Sequence, residues 1–179
     1  MQNEIEKILY TEEQIQEKVK EIANLINKDY KDKNPLLIGV LKGAFLFTAD
    51  LVKRINIHCN VDFMIASSYG NSTTSSGNVK ILKDIDYSLE GRDILIVEDI
   101  IESGISLDYL VNYLKERKAN SVEITTLLDK PSRRKKDVYV KYVGFTVPDE
   151  FLVGYGLDYA ERYRNLPYIG TLKPEIYEK

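Results

Sequence analysis

The stretch from Ile94 to Ser106, Ile-Leu-Ile-Val-Glu-Asp-Ile-Ile-Glu-Ser-Gly-Ile-Ser, constrains this chain more than any other. Ile94 to Val97 are apolar and mostly β-branched, the pattern of a strand buried on both faces. Two carboxylates follow, then a Ser-Gly-x-Ser turn, and then Leu107, Leu110, Val111 and Leu114 at helical spacing. A buried strand therefore ends, a small-residue loop turns and a helix begins. The first N–H groups of a helix are unpaired and partly positive, which suits an anion such as phosphate. Ser103 and Ser106 add hydroxyl donors, and Gly104 allows a close backbone approach. Glu98, Asp99 and Glu102 would repel that phosphate unless a cation or ligand hydroxyls lie between them. A phosphorylated sugar carrying Mg²⁺ satisfies both halves of the loop.

Bulk properties narrow the class. The 179 residues fit one domain, 1–179, with a substantial core, and 44% apolar with 30% charged content is that of a soluble globular protein. A net charge of −3 gives no general electrostatic case for nucleic acid. The single cysteine, Cys59, excludes a disulfide within the chain and points to a reducing, cytoplasmic setting. The acidic N-terminal Met-Gln-Asn-Glu-Ile-Glu-Lys does not read as a signal peptide, and no apolar run approaches membrane-spanning length.

Along the chain, Thr11 to Gln14 reads as a capping box, and Ile15, Val19, Ile22 and Ile26 extend it into an amphipathic helix over 11–28. Strands are predicted at 36–41, 61–66, 79–82, 94–97, 122–128 and 139–145, with a further helix at 44–54 and a short apolar segment at 151–153. Residues 67–78 have almost no apolar content beyond Tyr69, which predicts a mobile loop and, from its length, a lid. The basic run Ser132 to Lys136 reads as a solvated loop. Alternating strands and helices imply an α/β fold around a mainly parallel central sheet flanked by helices, with ligands at the carboxyl ends of the strands. Lys42-Gly43, Glu98 to Ser106, Lys130 and the Phe151–Asp158 segment leading to Arg164 all fall at such ends.

The Glu98–Ser106 motif resembles the phosphoribosyl-diphosphate (PRPP) signature of type I phosphoribosyltransferases, departing at Glu102, where aspartate is usual. The likeness to the hypoxanthine-guanine members of that family spans nearly the whole chain. It includes Ile38 to Ala44, Val61 to Met64, Ser67 to Gly70, Leu127 to Pro131, Val143 to Phe145, Val153 to Tyr159, Tyr163 to Pro167 and Leu172 to Pro174.

That resemblance implies the type I phosphoribosyltransferase fold, with a small hood from the N-terminus and residues 148–179 and a flexible lid at 67–78. It implies purine salvage: transfer of the 5-phosphoribosyl group of PRPP to N9 of hypoxanthine or guanine, giving IMP or GMP and diphosphate. By the same resemblance Ser103, Gly104, Ile105 and Ser106 would hold the 5′-phosphate, and Lys42, Gly43 and Arg164 the diphosphate. Ser68 and Tyr69 would close as the lid. Lys130, Phe151, Leu152 and Asp158 would bind the purine. Glu98 and Asp99, with Asp158 at a second position, would bind Mg²⁺. Glu102 would be the catalytic base, its extra methylene leaving a carboxylate that is repositioned or caps the helix start. The family also implies a homodimer or homotetramer.

Two other readings share the fold. One is a PRPP-binding regulator of nucleic acid, supported only by the Ser132–Lys136 run. The other is an enzyme preferring xanthine, whose base edge would meet the same main-chain carbonyls.

Overall fold

The computed structural model describes residues 1–68 and 79–178. Six strands form the main sheet: β2 (Leu36–Val40), β3 (Asn60–Ser68), β4 (Val79–Lys83), β5 (Asp93–Ile101), β6 (Ser121–Asp129) and β7 (Tyr142–Thr146). Their spatial order is β4-β3-β2-β5-β6-β7. Every pairing is parallel except β3 with β4. A second sheet of three antiparallel strands, β1 (Ile5–Tyr10), β9 (Ile169–Leu172) and β8 (Leu152–Val153), forms the hood, joining the start of the chain to its end. The helices are α1 (Glu12–Asp29), α2 (Phe45–Val52), α3 (Ile105–Glu116) and α4 (Pro174–Tyr177).

Side-chain alternation divides the main sheet's core in two. Leu37, Leu95, Val97 and Leu127 pack with Ile15, Val19, Ile22 and Ile26 of α1 and Phe47 and Leu51 of α2. Leu36, Ile38, Ile94, Ile96 and Ile124 point the other way, onto Leu107, Leu110 and Leu114 of α3. The result is a three-layer sandwich, the arrangement expected when central parallel strands are apolar on both faces.

The strand order reverses at β2 and β5. From β2 the chain crosses through α2 to β3 on one side; from β5 it crosses through α3 to β6 on the other. Such a switch point opens a crevice at the strands' carboxyl ends. Here it lies between Lys42-Gly43 and the Glu98–Ser106 loop.

Several expected boundaries shift. β5 does not stop at Val97: Glu98, Ile100 and Ile101 continue in register with Thr126, Leu128 and Asp129 of β6. The acids are therefore held on a central strand rather than on a loop. Ser67 and Ser68 extend β3 by pairing with Lys80 and Val79, so the first two residues of the loop expected at 67–78 are strand. Tyr69 and the rest of that loop lie outside the described residues. Strand β7 starts at Tyr142 rather than Tyr139, because Val138 and Val140 pack sideways against the α3 side of the core. The hood strands β1 and β9 lacked a local signal of their own, since each is stabilised by the other.

The capping box is present. Gln14 N–H donates to Thr11 Oγ1 at 3.3 Å, and Thr11 N–H donates to Gln14 Oε1 at 2.9 Å. Thr11→Ala removes one of these bonds and is expected to cost about 1 kcal/mol. In a chain of this size that lowers Tm by roughly 2–4 °C, measurable by calorimetry.

Candidate active site

Three chain segments meet at the switch point with no room for side chains between them. A Cβ placed on Gly43 would fall 1.7 Å from Asp99 Oδ2, and one placed on Gly156 would fall 2.0 Å from the Gly43 carbonyl oxygen. Gly156 has φ of +98°, a region that side chains disfavour. The end of β2, the end of β5 and the 154–158 turn are thus locked against one another through glycine. The Leu41–Lys42 peptide is cis, which fits the backbone of this junction.

Below that junction sits the Ser103–Ser106 loop. Gly104, with φ of +79°, precedes α3, and a Cβ there would meet the Lys136 carbonyl at 2.5 Å. Ile105 N–H donates to Ser103 Oγ at 3.3 Å. The basic run is largely solvated, as expected, and its backbone also braces this loop. The backbone N–H groups of Lys135 and Lys136 donate to the Ser103 carbonyl at 2.9 Å. Arg134 Nε donates to the Glu102 carbonyl at 3.0 Å, while its guanidinium pairs with Asp129. A composition rule identified the charges; only the tertiary fold shows that the backbone carrying them turns inward. A cavity of about 210 Å³ opens here, with Glu98, Asp99, Ser103, Gly104 and Ser106 among its walls.

A second cavity, of about 270 Å³, adjoins it and is lined by Asp99, Glu102, Lys130, Phe151, Leu152, Leu157 and Asp158. Lys130 is 5% exposed, unusual for a lysine, and its ammonium donates to Glu102 Oε1 at 2.5 Å and to the Glu150 carbonyl at 3.0 Å. Glu102 therefore reaches back to Lys130 and does not cap α3. The Phe151 ring is held between neighbours. Tyr177 stacks on it at 4.7 Å, and Tyr159 meets it edge-on at 5.5 Å. Tyr177 comes from α4 at the far end of the chain, and no sequence pattern marked it.

Lys42 and Arg164 converge as expected, but each is already paired. Lys42 Nζ lies 3.0 Å from Glu161 Oε2, and Arg164 Nη2 lies 3.0 Å from Asp158 Oδ1 and 3.3 Å from Glu161 Oε1. Arg164 Nη1 donates to the Gly156 carbonyl at 2.8 Å. The turn itself is anchored from beneath: Tyr155 O–H donates to Asp50 Oδ2 at 2.6 Å, and Gln16 Nε2 donates to the same oxygen at 2.7 Å. Asp50 on α2 thereby ties α1 to the site.

The acids of β5 have the chemistry of a partial cation site. Burial, then the neighbouring charge of Asp99, pushes the Glu98 carboxyl well above its ordinary value, and Glu98 Oε2 is buried with no hydrogen-bond partner among the described residues. Burial pushes Asp99 up to about 6, against hydrogen bonds from backbone N–H groups that pull it down. An orphaned, desolvated carboxylate oxygen beside a second carboxylate fits a divalent cation. Among the described residues, however, no group of three or more His, Cys, Asp or Glu side chains forms a metal cage. Glu98, Asp99 and Asp158 do not close into one ligand set, because Asp158 is taken by Arg164 and by the Glu161 N–H. Two carboxylates completed by ligand oxygens and water is a coordination suited to Mg²⁺.

The family model for the phosphoribosyl transferase domain matches residues 7–160. The hypoxanthine-guanine phosphoribosyltransferase of Bacillus subtilis (strain 168) is 63% identical over 178 residues, 99% of each chain. That of Streptococcus agalactiae serotype V is 55% identical over all of this chain and 99% of its own. The chain belongs to the hypoxanthine-guanine phosphoribosyltransferase family. A crystal structure of a hypoxanthine phosphoribosyltransferase from Staphylococcus aureus matches with a TM-score of 0.97 at 54% identity, covering 100% of this chain and 97% of that one. Similarity of this extent covers the hood as well as the main sheet, and so includes both walls of the phosphoribosyltransferase crevice. Among the described residues, no helix is long and apolar enough to cross a membrane.

Two outcomes follow from this geometry. Gly156→Ala should push a methyl group into the Gly43 carbonyl at a backbone angle that alanine resists, so PRPP binding by calorimetry should fall at least tenfold while the fold persists. Burial works to raise the Asp50 carboxyl, but hydrogen bonds from Lys53, Tyr155 and Gln16, with the Lys53 charge, outweigh it and hold the group below its ordinary value. A lowered native value means stability that is present above the unfolded value of about 3.9 and is lost as pH falls through the native one. Asp50→Asn should therefore unfold at lower urea than the parent at pH 7, by about 1–3 kcal/mol, with the gap closing below pH of about 4.

Proposed function

We propose that this chain transfers the 5-phosphoribosyl group of PRPP to N9 of hypoxanthine or guanine, releasing diphosphate and forming IMP or GMP. The observation that supports this most is the buried Lys130 ammonium, held at 2.5 Å from Glu102 in a cavity walled by Phe151. A purine carrying a 6-oxo acceptor suits that ammonium, and a flat base suits the ring face of Phe151. Main-chain carbonyls of Leu152 and Asp158 would accept from the base edge, which is the reading the family resemblance supplies.

In the reaction, the bond from C1 of the ribose to diphosphate breaks as the bond from C1 to N9 forms. Glu102 would take the proton of purine N7, with Lys130 beside it holding the 6-oxo group. Lys42, Gly43 and Arg164 would hold the leaving diphosphate, and Ser103 to Ser106 the 5′-phosphate that stays. Preorganised donors and cations of this kind stabilise charge as it develops. Glu98 and Asp99 would hold Mg²⁺, which when bound neutralises phosphate charge. Ser68 ends β3 at the start of the proposed lid, whose remainder, with Tyr69, is outside the described residues. A cytoplasmic setting and an assembly of two or four copies complete the proposal.

Turnover of hypoxanthine, guanine and xanthine with PRPP and Mg²⁺, followed by diphosphate release, tests the assignment. Hypoxanthine and guanine should both turn over, and chelation of divalent cations should stop both reactions. Failure of every base would sink the enzymatic reading; faster use of xanthine would overturn the base assignment. Glu102→Gln should lower kcat on the order of a hundredfold, the scale of a lost general base, whereas Glu102→Asp should retain activity. Equal rates for all three proteins would remove Glu102 from the chemistry.

A further inference from the structure

The two cations assigned above to diphosphate are bridged by a single carboxylate. Glu161 Oε2 lies 3.0 Å from Lys42 Nζ, and Glu161 Oε1 lies 3.3 Å from Arg164 Nη2, one oxygen to each cation. The turn that carries it is built for this. Ala160 and Glu161 have φ of 50° and 62°, values uncommon for residues with side chains. The Glu161 N–H donates to Asp158 Oδ2 at 2.9 Å, which fixes the turn. Arg164 Nε is buried with no hydrogen-bond partner among the described residues.

We infer that Glu161 is a resident substitute for the diphosphate, occupying Lys42 and Arg164 until PRPP displaces it and competing for them when diphosphate leaves. The inference rests on the assignment of Lys42 and Arg164 to diphosphate. A carboxylate presents two anionic oxygens much as one edge of a phosphate does, so exchange keeps both cations paired throughout. The Glu161 side chain is 64% exposed, so it swings outward into water without disturbing the core. Its role is competition for cations and not contact with the reacting atoms. Because the contact is exposed, it is weak enough to be displaced: such pairs each alter an equilibrium by up to about fivefold.

The test is the affinity of the full chain for inorganic diphosphate in the presence of Mg²⁺, measured by titration calorimetry. Glu161→Gln and Glu161→Ala should bind it roughly threefold to tenfold more tightly than the parent, the range set by losing one or two such pairs. Diphosphate should also inhibit turnover at correspondingly lower concentration. Glu90→Gln, an exposed charge removed at the opposite end of β5, controls for net charge and should bind as the parent does. Unchanged or weaker binding by both Glu161 variants would overturn the proposal, as would an equal gain in Glu90→Gln. Lys42→Ala and Arg164→Ala should each weaken diphosphate binding. If neither does, the assignment of the diphosphate site fails, and the role of Glu161 falls with it for a separable reason.

Discussion

Everything in the site depends on the contact of Gly43 with Asp99 and Gly156. The distances there leave no space for a single extra carbon. That contact draws the ends of β2 and β5 together with a turn about 55 residues further along the chain. The surrounding structure is arranged to hold it: the two-sided apolar core sets the strands, and Asp50 pulls the turn down through Tyr155.

A second constraint is electrostatic. Cations and anions in the crevice are largely matched internally: Lys130 with Glu102, Lys42 with Glu161, Arg164 with Asp158 and Glu161. Among the described residues, the buried Glu98 Oε2 has no hydrogen-bond partner. A crevice of this kind meets a charged ligand by exchanging partners, which keeps the cost of desolvating each charge low at every stage. The unmatched acid on β5 marks where a cation would enter, next to the loop suited to phosphate.

Much of this was legible in the residues themselves. Strands β2, β5 and β6, the capped helix α1 and the Ser103–Ser106 turn carry local signals, because apolar periodicity and capping chemistry act within a few residues. Resemblance supplied the expected roles of Lys42, Lys130, Phe151 and Arg164; the structure lines one cavity with Lys130, Phe151 and Asp158, pairs Arg164 with Asp158, and joins Lys42 to Arg164 through Glu161. Other features left no local trace. Arg134 to Lys136 look like any solvated basic run, yet their backbone clamps the loop that precedes α3. Asp50 sits in a segment whose sequence marks it only as helical, Tyr177 sits in one that carried no signal, and Glu161 has the composition of a surface residue.

By itself, then, the sequence determined the strand–loop–helix at residues 94–116, the α/β class and the chemistry offered by the acids and small residues of that loop. These follow from short-range forces: burial of apolar side chains, helix capping and the conformational freedom of glycine. Only the tertiary structure decided which charges face one another. It carried β5 on through Glu98 and Asp99, turned Glu102 toward Lys130 and set Glu161 between Lys42 and Arg164. The reason is distance. Coulombic and hydrogen-bonding partners here lie up to 119 positions apart in the chain, and only packing around the switch point makes them neighbours.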